Sequence, residues 1–228
     1  MLQHLPEPVQ LWLKNSGIIG KKIFQTVQLT QTGEMMTKPG ANWMTFKATQ
    51  SITNDPPAFI WKAKIFPSPL LFISGTDKYE QGRGNMLIKI YGLLPLVNAK
   101  GSEIDHGTML RWLAEICWCP SSALSEYIHW EQLDKLSAKA TISYGGITDS
   151  GVFYFDPNGD LICFEAMRYY VTGRKKPSLE KWIVKTKPGA YKEFEGIRIP
   201  YKSVVTWKLK EGDFTWLEME ITHVEYNK

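Results

Sequence analysis

Apolar and polar residues alternate along most of the chain with the period of two that is typical of half-buried β-strands. The clearest case is the stretch 58–66, in which Phe59 and Trp61 share one face while Lys62 and Lys64 lie on the other. Clusters of Gly, Pro, Asn and Asp indicate turns between such stretches. Strands are predicted at 23–31, 43–53, 58–66, 70–74, 85–91, 138–144, 151–155, 161–170, 180–187, 197–209 and 214–226.

Two stretches break this alternation and indicate helices. A short helix is predicted between Pro6 and Gly17, because proline is favoured in the first turn of a helix and glycine just past its end. Across residues 102–120 the apolar residues recur at helical spacing, and Arg111 and Glu115 form an i,i+4 pair. This second segment is predicted to be the main amphipathic helix.

The order of these elements predicts the fold class. Strands that follow one another without crossover helices favour an antiparallel sheet. A sheet of about ten strands tends to curl, and one helix is enough to cover its concave side. We therefore expect a mainly β (α+β) fold: a single curved antiparallel sheet, or half-barrel, with a short N-terminal helix and one main helix as lid. One domain is expected over 1–228, with a helical segment (1–17), strands (18–101), the main helix (102–120) and further strands (136–228).

Composition supports a folded chain and bears on its location. The 228 residues are 43% hydrophobic and 22% charged, which excludes a disordered protein. The longest apolar stretch falls short of the roughly 20 residues of a membrane-spanning helix. No signal peptide is recognisable, so as written the chain is expected in the cytoplasm; a leader preceding Met1 would make it exported or membrane-anchored.

Charge is concentrated in one segment. Residues 174–192 carry seven Lys and Arg against a single acid, Glu180, an excess of +6 where the whole chain carries +4. Such an excess indicates either an anionic partner surface or a solvated hairpin whose lysines protect a sheet edge. Nucleic acid is not expected as a partner, because the segment has only Trp182 and Tyr191 for base stacking and no recognisable module.

Motifs for catalysis, cofactors and metals are missing from the sequence. It contains no G-x-S-x-G, no G-x-x-x-x-G-K-[ST] and no H-E-x-x-H. Cys117, Cys119 and Cys163 are soft ligands in principle, but Cys-x-Cys on a helix directs its two side chains differently, so buried structural thiols are expected. No cofactor and no metal site is predicted.

A curved sheet that its own side chains do not fill leaves a cavity, and the alternative is a packed core. Glu115 and Arg168 stand out, since each is a charge on a mostly apolar face and needs a partner or a ligand. The candidate ligand-binding residues are Trp61, Arg83, Trp112, Glu115, Phe164, Arg168 and Tyr169.

The leading interpretation is a non-enzymatic binding protein that holds a hydrophobic or lipid-like ligand between sheet and helix. One alternative is an enzyme of unknown reaction in the same cavity, which requires Glu115 and Arg168 to converge with Tyr169 or His106. Another is an interaction module that docks through the basic segment at 174–192.

Six short motifs resemble those of a bacterial protein family of unknown function. They are Leu-Pro-Glu-Pro-Val at 5–9, Asp-Pro-Pro-x-Phe-x-Trp at 55–61, Gly-Arg-Gly at 82–84, Arg-x-Leu-Ala-Glu-x-x-Trp-x-Pro at 111–120, Arg-Tyr at 168–169 and Gly-x-x-Ile-Pro at 196–200. The resemblance implies no known reaction, and many members of the family carry a membrane anchor ahead of the first motif. The order of strands and lid is similar to the half-barrel of bacterial lipoprotein carriers and their lipid-binding relatives.

Overall fold

The computed structural model describes residues 2–171 and 176–227. Its helices are α1 (Glu7–Asn15), α2 (Ser102–Glu115) and two short 3-10 helices, Ile116–Trp118 and Pro120–Leu124. Its strands are β1 (Thr26–Met35), β2 (Met44–Thr53), β3 (Ala58–Ser68), β4 (Leu71–Glu80), β5 (Arg83–Ile90), β6 (Leu94–Ala99), β7 (Ile128–Gln132), β8 (Ser137–Tyr144), β9 (Ile147–Phe155), β10 (Leu161–Tyr170), β11 (Ser178–Thr186), β12 (Tyr191–Phe194), β13 (Ile197–Pro200), β14 (Lys202–Leu209) and β15 (Gly212–Asn227).

The predicted fold class is confirmed: one large antiparallel sheet curls into a half-barrel around α2. The strand order is β6-β5-β4-β3-β2-β1-β15-β14-β11-β10-β9-β8-β7, and β12 and β13 form a separate hairpin. The expected number of strands was wrong, because the sheet has thirteen rather than about ten. β6 falls in a stretch without clear alternation, whereas β7 alternates but is only five residues long and was overlooked. The strand predicted at 197–209 is divided at Tyr201, so that its first part pairs with β12.

The two helices lie on the concave side of the sheet. Val9, Trp12 and Leu13 of α1 are buried, and the Trp12 ring stacks on Phe153 of β9 at 6.4 Å between centroids. The main helix is shorter than predicted, since α2 ends at Glu115 and a 3-10 turn follows. The α-region is disfavoured for a residue that precedes proline, which applies to Cys119.

Cross-strand register defines the inner face of the sheet, the face turned toward α2. Phe59 and Trp61 of β3 are buried on this face, and directly paired residues of neighbouring strands point the same way. α2 crosses the inner face and contacts β5, β9 and β10. Gly84 permits its close approach, because a Cβ there would lie 2.4 Å from Oγ1 of Thr108. Most of the space beneath the helix is filled by fully buried aromatic and aliphatic side chains.

At one end of the half-barrel, the β4–β5 turn meets the β8–β9 turn. Gly82 and Gly145 face each other there, and both have positive φ, 75° and 61°. Neither backbone leaves room for a side chain on the other. The two halves of the sheet therefore touch at this end, where Tyr79 of β4 is fully buried.

Replacing Gly82 by alanine is expected to destabilise the protein more than replacing Gly40. Both residues have φ near +75° (75° and 74°), so both variants carry the left-handed cost of about 1–2 kcal/mol. A Cβ at Gly82 would lie 2.7 Å from Cα of Gly145, whereas one at Gly40 meets nothing within 4 Å. Urea unfolding should show a further loss of about 1–3 kcal/mol for Gly82→Ala. Equal losses in the two variants would mean that this contact does not hold the turns together.

The basic segment does not protect a sheet edge. β11 lies between β10 and β14, so that interpretation was wrong. Lys181 pairs with Glu165 at 3.1 Å and Lys187 with Glu218 at 2.5 Å, which neutralises part of the excess charge. The first two basic residues of the segment, at 174–175, lie outside the described residues. Within the described ranges, no helix combines the length and the apolar character that a bilayer span requires.

Candidate functional site

A buried polar network joins α2 to the inner face. Arg111 donates from Nη1 to Oδ2 of Asp77 and from Nε to Oε1 of Glu115, each at 2.7 Å. Its Nη2 lies 3.3 Å from Oε1 of Gln50, and Gln50 donates from Nε2 to Oε2 of Glu115 at 2.5 Å. The helix is thus fixed to β2 and β4 by bonds that water barely reaches.

Two further residues extend the network along the sheet. Gln31 on β1 donates to Oε1 of Gln50 at 3.1 Å and accepts from the indole N–H of Trp61 at 2.9 Å. The Arg111 guanidinium lies 4.7 Å from the ring centroid of Phe59 and 5.2 Å from that of Trp61. Aromatic faces attract a desolvated cation, so these rings help to hold the arginine in place.

The charges of the network are strongly perturbed by burial. Burial raises the pKa of Glu115, because loss of water disfavours the carboxylate, while Arg111 opposes the shift. Burial alone would lower the pKa of Arg111, but Glu115 and Asp77 raise it. Oδ1 of Asp77 is buried without a hydrogen-bond partner among the described residues. One guanidinium therefore serves two buried carboxylates, and its removal would leave both unpaired.

Arg168 on β10 is a second cation of the inner face. Its Nε donates to the carbonyl oxygen of Gly107 on α2 at 3.0 Å, and its guanidinium lies over Trp182 and Trp207, 4.6 and 5.7 Å from their ring centroids. Burial lowers the pKa of Arg168 to about 10, although Asp77 lies near enough to oppose the shift. Within 2–171 and 176–227, neither Nη atom has a hydrogen-bond partner, and the residue is half-buried. The arrangement can bind an anion.

Next to these polar groups, part of the inner face is left open. The register pairs Asp77 with Met86, and the row that begins at Ile65 ends at Leu94 on the edge strand β6. Exposure rises along this row from 7% at Ile65 to 66% at Leu94. We call the apolar residues of β5 and β6 that face inward the uncovered inner face; they are Met86, Ile88, Ile90, Leu94 and Val97.

The structure separates the candidate residues named from the sequence into three groups. Trp61 and Glu115 belong to the buried network, and Arg168 lies close enough for the charge of Glu115 to act on it. Trp112 and Phe164 are fully buried core residues; the indole N–H of Trp112 donates to the carbonyl oxygen of Thr53 at 3.1 Å.

The remaining two candidates lie apart from the network. The Arg83 side chain is 74% exposed and pairs with Asp105 of α2 at 2.9 Å, which ties the start of the helix to β5. Tyr169 lies beside His106, with 6.1 Å between the ring centroids, and His106 bonds Asp149 at 2.6 Å.

The convergence that the enzyme hypothesis requires is not observed among the described residues. Glu115 bonds Arg111 and Gln50, whereas Arg168 bonds the backbone of Gly107, and neither reaches Tyr169.

Sequence reasoning overlooked Asp77, Gln31 and Gln50 as site residues. Asp77 shares the alternation of Ile73 and Tyr79, which placed a charge on the inner face of β4. The inward position of Asp77 could therefore have been predicted from the sequence. Its ion pair with Arg111 could not, because α2 lies in another part of the chain.

Other pockets and cysteines of the described residues do not form a second candidate site. Two shallow depressions open to solvent, of about 390 and 420 Å³, lie on β11, β14 and β15 and around Asn158 and Arg198, away from the uncovered inner face. Cys117 and Cys119 are buried thiols, and Cys163 is half-buried. Over residues 2–171 and 176–227, no three His, Cys, Asp or Glu side chains group as metal ligands would.

Comparison with known proteins gives a family and a fold. A family model described as a family of unknown function (DUF6544) matches residues 1–219. A DUF1329 family protein from Desulfovibrio piger superposes with a TM-score of 0.51 at 11% identity, covering 96% of this chain and 91% of that one. A LolA superfamily protein from Nitrosomonas europaea has a TM-score of 0.43 at 11% identity, covering 96% and 94%. No match was found among curated proteins.

Proposed function

The chain belongs to the DUF6544 family of unknown function, and we propose that this member binds an amphiphilic ligand, with the apolar part on the uncovered inner face and an acidic group at Arg168. The half-barrel fold, shared with the Desulfovibrio piger protein, supplies the open concave side. The observation that carries the proposal is the row of apolar side chains that the lid helix leaves partly open, on the same face of the sheet as an arginine that has no carboxylate partner among the described residues.

The apolar half of the proposal rests on exposure. Large apolar side chains that stay open on a concave face are a feature of ligand-binding grooves. Leu94 and Val97 are 66% and 38% exposed, and Met86, Ile88 and Ile90 are half-buried. The core beneath α2 is already filled, so the ligand is placed beyond the helix and not under it. The proposed site therefore occupies a smaller part of the inner face than the cavity between sheet and helix that the sequence suggested.

The polar half rests on the position of Arg168. The charge of Asp77 acts on the pKa of Arg168, and Asp77 is the cross-strand partner of Met86, at the start of the uncovered inner face. A planar guanidinium with two unoccupied Nη donors suits a carboxylate or phosphate group. Contact of the guanidinium with Trp182 and Trp207 helps to hold those donors in place.

The apolar half can be tested with the fluorescent fatty acid 11-(dansylamino)undecanoic acid. The double variant Ile88→Lys/Val97→Lys places two charges on a directly paired position of the uncovered inner face. We expect its affinity for the probe to fall by about tenfold or more, because apolar contact area is lost and charge is added. Fluorescence titration of the purified full chain measures the effect.

A matched control lies on the opposite face of the same two strands. Leu87 and Asn98 are paired directly beside Ile88 and Val97 but point outward. Leu87→Lys/Asn98→Lys should bind the probe like the wild type. Equal losses in both double variants, or no probe binding by the wild type, would contradict the proposal. Native mass spectrometry of the purified protein would further show whether a lipid is retained.

A further inference from the structure

The uncovered inner face ends in an exposed apolar tip. In this antiparallel meander the β3–β4 and β5–β6 turns lie side by side, opposite the Gly82 turn, and the hydroxyl of Tyr91 links them by donating to the carbonyl oxygen of Leu70 at 3.0 Å. Leu70 is 90% exposed and Leu93 79%. We call residues 69–72 and 91–94, which form these two turns, the leucine tip.

The leucine tip is free of charge in sequence. Residues 65–76 and 90–99 contain no Asp, Glu, Lys or Arg. Exposed turns are normally rich in polar residues, and soluble proteins seldom display so many apolar side chains together. Because both turns project from the end of the sheet, they form a protruding end that suits insertion into a surface and not a groove that accepts a segment of another protein.

Behind the leucines, the outer face is layered by residue type. Phe72 and Tyr91 come first, with 5.4 Å between their ring centroids, and Lys64 and Lys89 follow, both paired with Ser74. Successive layers lie two residues apart along a strand, which corresponds to about 6–7 Å. Proteins at a bilayer surface show the same order from the hydrocarbon to the head groups: apolar side chains first, then aromatic rings, then lysines.

The charge of the surrounding strands fits an anionic surface. Residues 58–100 carry six Lys and Arg against two acids, a net +4. Near a membrane surface each lysine adds attraction to anionic lipids. Trp43, 40% exposed, lies just before β2 at the same end of the sheet and adds a third interfacial aromatic side chain.

We infer that the leucine tip docks on the surface of an anionic lipid bilayer. Leu70 and Leu93 insert among the acyl chains, Phe72 and Tyr91 lie at the interface, and Lys64 and Lys89 meet the phosphates. This docking is a function separate from ligand binding. It would place the uncovered inner face directly beside the membrane.

The inference is tested by sedimenting the full chain with vesicles of phosphatidylcholine alone and with phosphatidylglycerol added. Wild-type protein should bind the anionic vesicles more strongly, and Leu70→Ser/Leu93→Ser should bind them at least about tenfold more weakly, since each exposed leucine loses its apolar contact. Lys64→Ala/Lys89→Ala should lose the preference for phosphatidylglycerol. Leu133→Ser/Leu179→Ser, which changes leucines of 49% and 51% exposure elsewhere, is the matched control and should bind like the wild type.

Three outcomes would overturn the inference. The first is no vesicle binding by the wild type, and the second is equal binding by the wild type and the Leu70→Ser/Leu93→Ser variant. The third is a concentration-dependent dimer that this variant abolishes without any vesicle binding, which would assign the tip to a second copy of the chain. Binding of the dansyl fatty acid should be unchanged in the tip variant, so failure of docking is distinguishable from failure of ligand binding.

Discussion

Replacing Arg111 by methionine is expected to lower the free energy of unfolding by about 3–5 kcal/mol, the cost of breaking a buried ion pair from one side. The variant leaves Asp77 and Glu115 buried without their cation. Glu115 keeps the amide hydrogen bond from Gln50, but Oδ1 of Asp77 already lacks a partner among the described residues. Urea denaturation at neutral pH, followed by tryptophan fluorescence, measures the loss.

Two comparisons separate the network from ordinary surface charge. Lys202→Met breaks the half-exposed pair with Glu220, at 3.2 Å, and should cost no more than about 1 kcal/mol. Adding Asp77→Asn and Glu115→Gln to Arg111→Met should recover most of the stability, because neither carboxylate is then left charged without its cation. If Arg111→Met proves as mild as Lys202→Met, the network does not hold α2 to the sheet.

Much of the fold could be predicted because alternation records the face of each strand directly. The stretch from Phe59 to Ile65 has one buried face in the structure, as its sequence indicates. The strand count could not be predicted in the same way, since β6 exposes apolar residues on both faces and therefore shows no alternation. The end of α2 at Glu115 was also obscured, because the apolar spacing continues into the 3-10 turn that follows it.

The candidate site was harder to predict, because alternation gives a face but not what covers it. Trp112 and Phe164 were candidates for ligand contact, yet both are sealed in the core. For Arg111 the sequence indicated only the nearby partner, Glu115. Its contact with Asp77 depends on where a helix crosses a strand that is distant in sequence. Arg168 was identified correctly as an inward charge, because a single strand's alternation was sufficient for that.

Replacing Arg168 by methionine is expected to raise stability while it weakens the binding of acidic ligands. Burial lowers the pKa of Arg168 to about 10, so the folded state holds this charge at a cost in free energy, although the guanidinium stays protonated at neutral pH. The shift corresponds to roughly 3 kcal/mol of destabilisation, and contact with Trp182 and Trp207 offsets about 0.5–2 kcal/mol. Methionine keeps an apolar stem without the charge, so urea unfolding should show a gain of about 1 kcal/mol.

Binding should change in the opposite direction, as is common where a residue is retained for function at the expense of stability. Loss of charge-assisted bonds should weaken 11-(dansylamino)undecanoic acid by about 10–100-fold, while the methyl ester of the same probe should bind the variant and the wild type alike. Arg83→Met removes an exposed arginine that lies apart from the network and should leave both affinities unchanged. Two results together would contradict this prediction: the Arg168→Met variant is less stable than the wild type, and it binds the acid and the ester with unaltered affinities. They would show that this arginine supports the structure and does not contact the ligand.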